Sequence, residues 1–416
     1  MAQGLETSLA VRPAPTRGRL RWCRAQSLDE IDGWETPWRR LDRLAGNPLT
    51  NFSWMRAFVR AFAADVDPFF VGAMRNRDLV AVAPLVRKRL HGIRRLCLAG
   101  AGELHEAVDL CCTDERALER LFAWLARRGS PLFFERITAD SAALNKIKRA
   151  YRGRAIVLVR PHASCPYIAL DDSWLDPEMH LNAGRRGDLR RARRKAEQLG
   201  PVTTEIHTPD LGELPHLLDL AFEVEASGWK GKAHTALLHD AHRAAFYRQY
   251  AESACMEGVL RICFLRIGDR LAAMQLAIEQ SDGFWLLKVG YDPRFSHCSP
   301  GLLLMRDTIR YAAEAGLRTY EFLGKAEAWT KVWTSTEHAC VSVRVYPFGL
   351  RGMAALAVDT LASVGKKWRK KMRWEPFVNY PASHAGRSPA GGSLMTIALL
   401  MAGCDRTSSR AACGGA

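Results

Sequence analysis

Ser299-Pro300-Gly301 is the stretch best suited to hold an anion. It follows an apolar, β-prone run, Phe284 to Tyr291, and precedes Leu302, Leu303, Met305, Ile309 and Ala312, whose spacing predicts one apolar helix face. A helix entered at a glycine presents unpaired backbone N–H groups, lets a phosphate approach closely and adds the positive end of its dipole. Ser299 is placed to cap this helix and to donate to the same phosphate, although an ordinary capped helix with an early proline has the same signature. Just beyond, Glu321 interrupts the apolar strand Thr319 to Leu323. A carboxylate there is costly unless it is paired or used. It is therefore expected as a base or substrate anchor, or else in a buried ion pair with Lys325 or Lys331. Upstream, alternation along Leu271 to Glu279 sets Gln275 and Glu279 on one face. A buried Glu279 would have a raised pKa suited to a general base; at an exposed strand end before the Ser281-Asp282-Gly283 turn it would not. The same alternation puts Lys288 on the face of Phe284, Leu286 and Gly290.

These residues need a scaffold, and the pattern supplies one of α/β type with a mixed sheet. In the first half the spacing predicts helices over Asp29–Leu44, Phe52–Ala64 (capped by Asn51) and Glu115–Arg127. Strands are expected at Phe69–Met74, Leu79–Lys88, Arg95–Leu98, Pro131–Glu135, Ala155–Val159 and Tyr167–Leu170, with a hairpin turn at Arg75–Asp78. The second half reads as a helix near Asp176, a basic helix within Arg185–Gly200, a strand Thr203–His207, a helix Leu211–Ser227 broken at Pro215, and a helix His239–Glu257. A hairpin follows, Leu260–Ile267 with Arg270–Glu279, and Cys340–Tyr346 is a last strand. The order of elements in the two halves is similar without any residue-level repeat, which suggests a duplicated α/β unit. The expected organisation is a disordered tail over 1–20, domains at 21–170 and 171–350, a basic helical extension at 351–380 and a disordered tail at 381–416.

The chain has 416 residues, 48% apolar and 25% charged, which are globular values, and a formal net charge of +16 that favours anionic partners without choosing among them. Its 11 cysteines are odd in number, include no CxxC and suit reduced thiols, not a disulfide framework or a zinc site. No metal is expected. No stretch has about 18 continuous apolar residues, and the N-terminus has no apolar core of signal-peptide length, so a cytoplasmic protein is expected. Arg185, Arg186, Arg190, Arg191, Arg193, Arg194 and Lys195 fall together and cover a broad helix face. That face suits an RNA backbone, donor phosphates or plain solvent. Lys366 to Trp374 mixes basic residues with two tryptophans, as a segment resting on an anionic membrane face would.

Several stretches, taken in order, resemble one family. NFSWMRAFVRAF, DLVAVAPLVRKR and CPYIAL in the first half, and RRGDLRRARRKAEQLG, YDPRFSHCSPGLLL and YEFLG…WTKVW in the second, are similar to the CelD/BcsL acyltransferases. That family is related to the GNAT N-acyltransferases and the FemABX aminoacyltransferases. The resemblance covers roughly Trp22 to Phe348. It implies two tandem GNAT-like domains, with the donor, acetyl-CoA or another acyl-CoA, in the second and none in the first. The loop RFSHCSPG departs from the usual GNAT pyrophosphate signature by carrying a single glycine, Gly301, in the Ser-Pro-Gly form of this subfamily. By resemblance, Ser299, Gly301, Leu302, Leu303 and Lys325 are expected at the donor, and Glu321, Lys331 and Glu279 as the groups that carry chemistry. Trp229, Lys230, Gln275, Lys288 and Tyr291 are expected toward the acceptor. Lys331, between Trp329 and Trp333, resembles a charge partner for donor phosphate or transition state; a surface lysine among packing tryptophans is the plain alternative. The implied reaction passes an acyl group to an amine or hydroxyl of a cell-envelope sugar, nucleotide-sugar or exopolysaccharide precursor of the cellulose type. A FemABX-like transfer from aminoacyl-tRNA and a non-catalytic accessory role beside a membrane polysaccharide synthase are the alternatives.

Overall fold

A computed structural model describes residues 19–228 and 240–372. The expectations for the two tails, for Trp229 and Lys230, and for the side chains of Lys366–Trp374 lie outside the described residues. Residues through Ser363 form one compact unit.

The first half runs β1 (Leu20–Ala25), α1 (Leu28–Asp32), α2 (Glu35–Ala45), α3 (Phe52–Ala61), β2 (Asp67–Pro68), β3 (Phe70–Arg75), β4 (Asp78–Ala83), β5 (Leu85–Leu90), β6 (Ile93–Leu98), β7 (Cys111–Cys112), α4 (Glu115–Arg128), β8 (Leu132–Thr138), α5 (Ala142–Ala150) and β9 (Ala155–Ala169). The second runs α6 (Ala183–Glu197), β10 (Val202–His207), α7 (Leu214–Ser227), α8 (Ala241–Met256), β11 (Leu260–Ile267), β12 (Arg270–Gln280), β13 (Gly283–Tyr291), α9 (Pro300–Glu314), β14 (Thr319–Glu321), β15 (Glu337–Pro347) and α10 (Leu350–Met372). Asn51 caps α3 by accepting from Trp54 N, as its type predicts. Pro215 does not break α7. It occupies the first turn, where its missing N–H costs nothing.

An 11-stranded sheet carries both halves in the order β10-β11-β12-β13-β14-β9-β15-β8-β6-β5-β2, and β1-β3-β4-β7 form a second sheet. The order on the two sides of the β9–β15 junction is similar, except that β10 has no counterpart. In each half a strand pairs in parallel with the strand after its long helix, β13 with β14 and β6 with β8. The last strand of each half then crosses over: β9 lies against β14, and β15 lies against β8. The crossed strands pair with each other from Ala155–Pro347 to Pro166–Glu337. This is the duplicated α/β unit, joined by exchange of terminal strands. β9 is one strand where two were expected. Pro161 and Pro166 interrupt the sequence signal, but β14 reaches β9 only at Tyr167–Ala169, so neither proline faces a strand on that side.

Two apolar layers hold the second half of the sheet. Leu276, Ile278 and Leu287 pack under α7 and α8, and Phe284, Leu286 and Ala277 pack under Leu303, Leu304 and Ile309 of α9. The final helix, α10, is clasped by Asp359, which is 4% exposed and accepts from Arg95 at 2.6 and 2.7 Å, Arg344 at 2.8 Å and Tyr346 at 2.6 Å. These donors hold its carboxyl well below the usual range against the opposing effect of burial.

Candidate active site between β13 and β14

β13 and β14 pair only over Gly283–Thr319, Phe284–Tyr320 and Trp285–Glu321, and then part. On one wall of the resulting gap, β13 has an irregularity against β12: Leu276 faces Lys288, and the next residue, Ala277, faces Leu286. The extra residue, Leu287, shifts the alternation. Leu287 therefore joins the layer under α7 and α8, and Lys288 points the same way, its ammonium 4.6 Å from the ring centre of Tyr247 on α8. Lys288 does not share the face of Phe284 and Leu286, as simple alternation required.

On the other wall the chain leaves β14 through Leu323 and Gly324, both in the left-handed region at φ 53° and 48°. A leucine is held in this conformation only where its surroundings insist on it. Here they do. Arg136 of β8 bonds to Gly324 O, to His105 O at 2.9 Å and to Ala163 O at 2.9 Å. The Gly324 N–H donates to Glu106 Oε2 at 3.3 Å. Glu106 belongs to the first half, in the loop between β6 and β7. The loop is fixed on its other side by Arg243 of α8, which donates to Glu103 O at 2.9 Å.

Glu106 (6% exposed) and Lys288 are thus near enough to feel each other's charge, and Glu225 of α7 (2% exposed) also acts on Lys288. Gly290 makes room for Glu225, since a Cβ at 290 would stand 2.6 Å from the Glu225 Cα. Among the described residues no carboxylate is within ion-pairing distance of the Lys288 ammonium, and the buried Tyr247 hydroxyl has no hydrogen-bond partner. Burial pushes the Glu106 carboxyl up, with Lys288 and Arg136 opposing. Burial pushes the Lys288 ammonium down, with Glu106 and Glu225 opposing. Burial thus works against the charged form of both groups. The corresponding opening in the first half, between β6 and β8, is a cavity of about 40 Å³ flanked by the Lys88–Glu103 ion pair.

The remaining expected residues fall into separate groups. Ser299 lies at the start of α9 but in the left-handed region, φ 46°, and makes no side-chain cap. Its carbonyl accepts from the N–H groups of Leu302 at 3.0 Å and Leu303 at 3.3 Å, which removes both as anion donors. Leu303 is fully buried, and Leu302 packs beside it. The Gly301 N–H stays without an acceptor among the described residues, and a Cβ at 301 would meet nothing within 4 Å. Tyr291 ends β13 on the α9 side. Gln275 is closed beneath α9, 2% exposed, with the Tyr320 hydroxyl donating to it at 3.4 Å. Glu279 shares its face, as alternation predicts, but at the far end of the strand, where Arg261 at 2.9 Å and the Tyr311 hydroxyl at 2.9 Å hold it. Neither reaches the gap. Lys325 pairs loosely with Glu327 at 3.8 Å, and Lys331 is exposed on the turn that Glu327 and Thr330 organise.

Glu321 is 5% exposed and pairs with His338 of β15 at 3.2 Å, not with Lys325 or Lys331. Its neighbour on β14, Tyr320, turns to the α9 side, as alternation requires. His338 stacks on Tyr167 of β9 at 3.9 Å. Its pKa is raised by the hydrogen bond with Glu321, against a smaller lowering by burial. A histidine raised in the folded state stabilises fully below its unfolded value and loses that contribution as pH rises through the folded value. His338→Gln is therefore expected to lower the melting temperature at about pH 5.5 and to matter much less at about pH 9. Equal losses at both pH values would refute the ion pair.

Residues 183–331 match the family model described as an acetyltransferase (GNAT) domain. That segment is similar to a GNAT acetyltransferase domain. It carries α9, the gap and Lys288, while Glu106 and Arg136 lie outside it, in the first half of the chain. No curated protein sequence matches the chain. Among solved structures, the C-terminal domain of a putative lysylphosphatidylglycerol synthetase from Agrobacterium fabrum is 13% identical, with a TM-score of 0.49 over 79% of this chain and 95% of that one. FemX is 12% identical, TM-score 0.49, over 79% and 97%. A tandem GNAT protein from the clavulanic acid biosynthesis pathway is 12% identical, TM-score 0.39, over 80% and 99%. Likeness at this level says nothing of substrate. Among the described residues no helix is long and apolar enough to cross a membrane, and no group of acidic, His and Cys side chains is arranged to hold a metal ion.

Proposed function

We propose that this protein takes an acyl group from acyl-CoA and passes it to an amine or hydroxyl of a cell-envelope sugar, nucleotide-sugar or exopolysaccharide precursor. The observation that carries the reading is the parting of β13 from β14, with a Gly301 N–H that has no acceptor among the described residues and with Glu106 and Lys288 beside the gap. The donor pyrophosphate lies at Gly301, where the helix dipole and the free N–H meet it. The acyl arm enters between the strands. The acceptor nitrogen or oxygen attacks the thioester carbonyl, the C–S bond breaks, and the acceptor's proton passes to the Glu106 carboxylate and from there to the leaving thiolate. Lys288 supplies positive charge beside the carboxylate and the developing oxyanion. The reaction needs no covalent intermediate on the enzyme. Glu321, tied to His338, sets the position of β14, and Lys331 on its exposed turn faces the donor's outer part.

Titration of acetyl-CoA, longer acyl-CoAs and aminoacyl-tRNA against the protein, followed by calorimetry, tests the donor. Saturable binding of an acyl-CoA is expected. Binding of aminoacyl-tRNA alone would replace this reading by a FemABX-like one, and binding of neither would leave a non-catalytic accessory protein.

A further inference from the structure

α6 lies along α9, close because its inward residues are Leu189, Ala192 and Ala196. Between the two helices is a cavity of about 290 Å³ lined by Arg190, Arg193, Arg194, Arg306 and Glu178. Four guanidinium groups face one lining carboxylate. Two of the four are satisfied: Arg193 by Glu197 at 2.7 Å and Val202 O at 3.2 Å, and Arg306 by Asp307 at 2.7 Å and Glu178 at 3.5 Å. Asp307 is in turn bonded by the Thr204 hydroxyl at 2.6 Å. Arg190 and Arg194 are exposed and have no partner among the described residues. They stand one helical turn apart, where like charges repel unless an anion lies between them. Lys195 acts by its charge on Cys298, two residues before α9.

We infer that this cavity binds the 3′-phosphate of the donor's nucleotide, with Arg190 and Arg194 as its ligands. Arg306 is six residues past Pro300, about 9 Å down the helix axis. The arginine cavity and the Gly301 N–H are thus two anion positions along one helix, within reach of a single nucleotide phosphorylated on both its 5′ and 3′ oxygens. Guanidinium groups grip a phosphate dianion by paired N–H donors, which a solvated helix face does not require. The inference rests on acyl-CoA being the donor.

Calorimetry with CoA and with 3′-dephospho-CoA tests it on the full chain. The unaltered protein should bind CoA at least about tenfold more tightly than the dephospho form, and the R190A/R194A protein should bind the two within about twofold. Adenosine 3′,5′-bisphosphate should displace CoA better than AMP does. Both arginines are exposed, so the paired variant should keep the melting temperature of the parent. Equal binding of CoA and dephospho-CoA by the unaltered protein would overturn the phosphate site and leave the transferase reading standing. A preference that survives in R190A/R194A would place the 3′-phosphate elsewhere. Binding of neither nucleotide, or loss only of tRNA binding in the variant, would overturn both.

Discussion

Glu106→Gln lowers kcat by about 10²- to 10⁴-fold, the usual worth of a general base, while the affinity for acyl-CoA stays near that of the parent. The amide oxygen introduced by the substitution can still accept the Gly324 N–H, so the bend at Leu323–Gly324 survives. What disappears is the carboxylate that takes the proton. The pH profile carries the sharper signature. Burial raises the Glu106 pKa, so the activity of the parent should climb through an apparent pKa above the ordinary carboxylate range. That limb should be absent from the residual activity of the variant. A variant that turns over normally, or keeps the limb, would show Glu106 to be a structural plug of the gap. Comparing the melting temperatures of the two proteins separates loss of chemistry from loss of fold.

Gly301→Asp weakens acyl-CoA binding by on the order of 100-fold or more, because it sets a negative charge against the donor pyrophosphate. The site has space for the side chain in the absence of ligand, and an acidic residue in a helix's first turn is favourable to the helix dipole. Stability should therefore be unchanged or slightly raised, which makes the loss of affinity specific. Unimpaired binding of acyl-CoA by this variant would move the donor away from α9.

Much of the local architecture was legible from residue types. Asn51 announces α3, Ser299-Pro300-Gly301 announces the entry to α9, and β12 and β13 follow from their apolar runs. The matching order of the two halves was also visible as a series of elements. The faces of β13 were not. Alternation assigns Lys288 to the wrong side because it assumes one residue for one residue between paired strands, and the irregularity beside Leu276 breaks that count. Glu279 and Gln275 were placed on one face correctly, but nothing local distinguished a face closed by α9 from one open to a ligand. Glu106 gave no signal at all. It lies in a loop without periodicity; its hydrogen-bond partner Gly324, and Lys288, whose charge acts on it, are about two hundred residues downstream.

Residue types and their spacing were enough to specify the α/β elements, the glycine at the helix entrance, the arginine-rich helix and the excess of positive charge. These depend on contacts within a few turns of chain. Long-range pairing settled where the chemistry sits. The exchange of β9 and β15 draws a first-half loop to a second-half strand, and the short β13–β14 ladder opens the space between them. Pairing between distant strands leaves no period in the sequence of either, so the meeting of Glu106 with Lys288 exists only in the folded sheet.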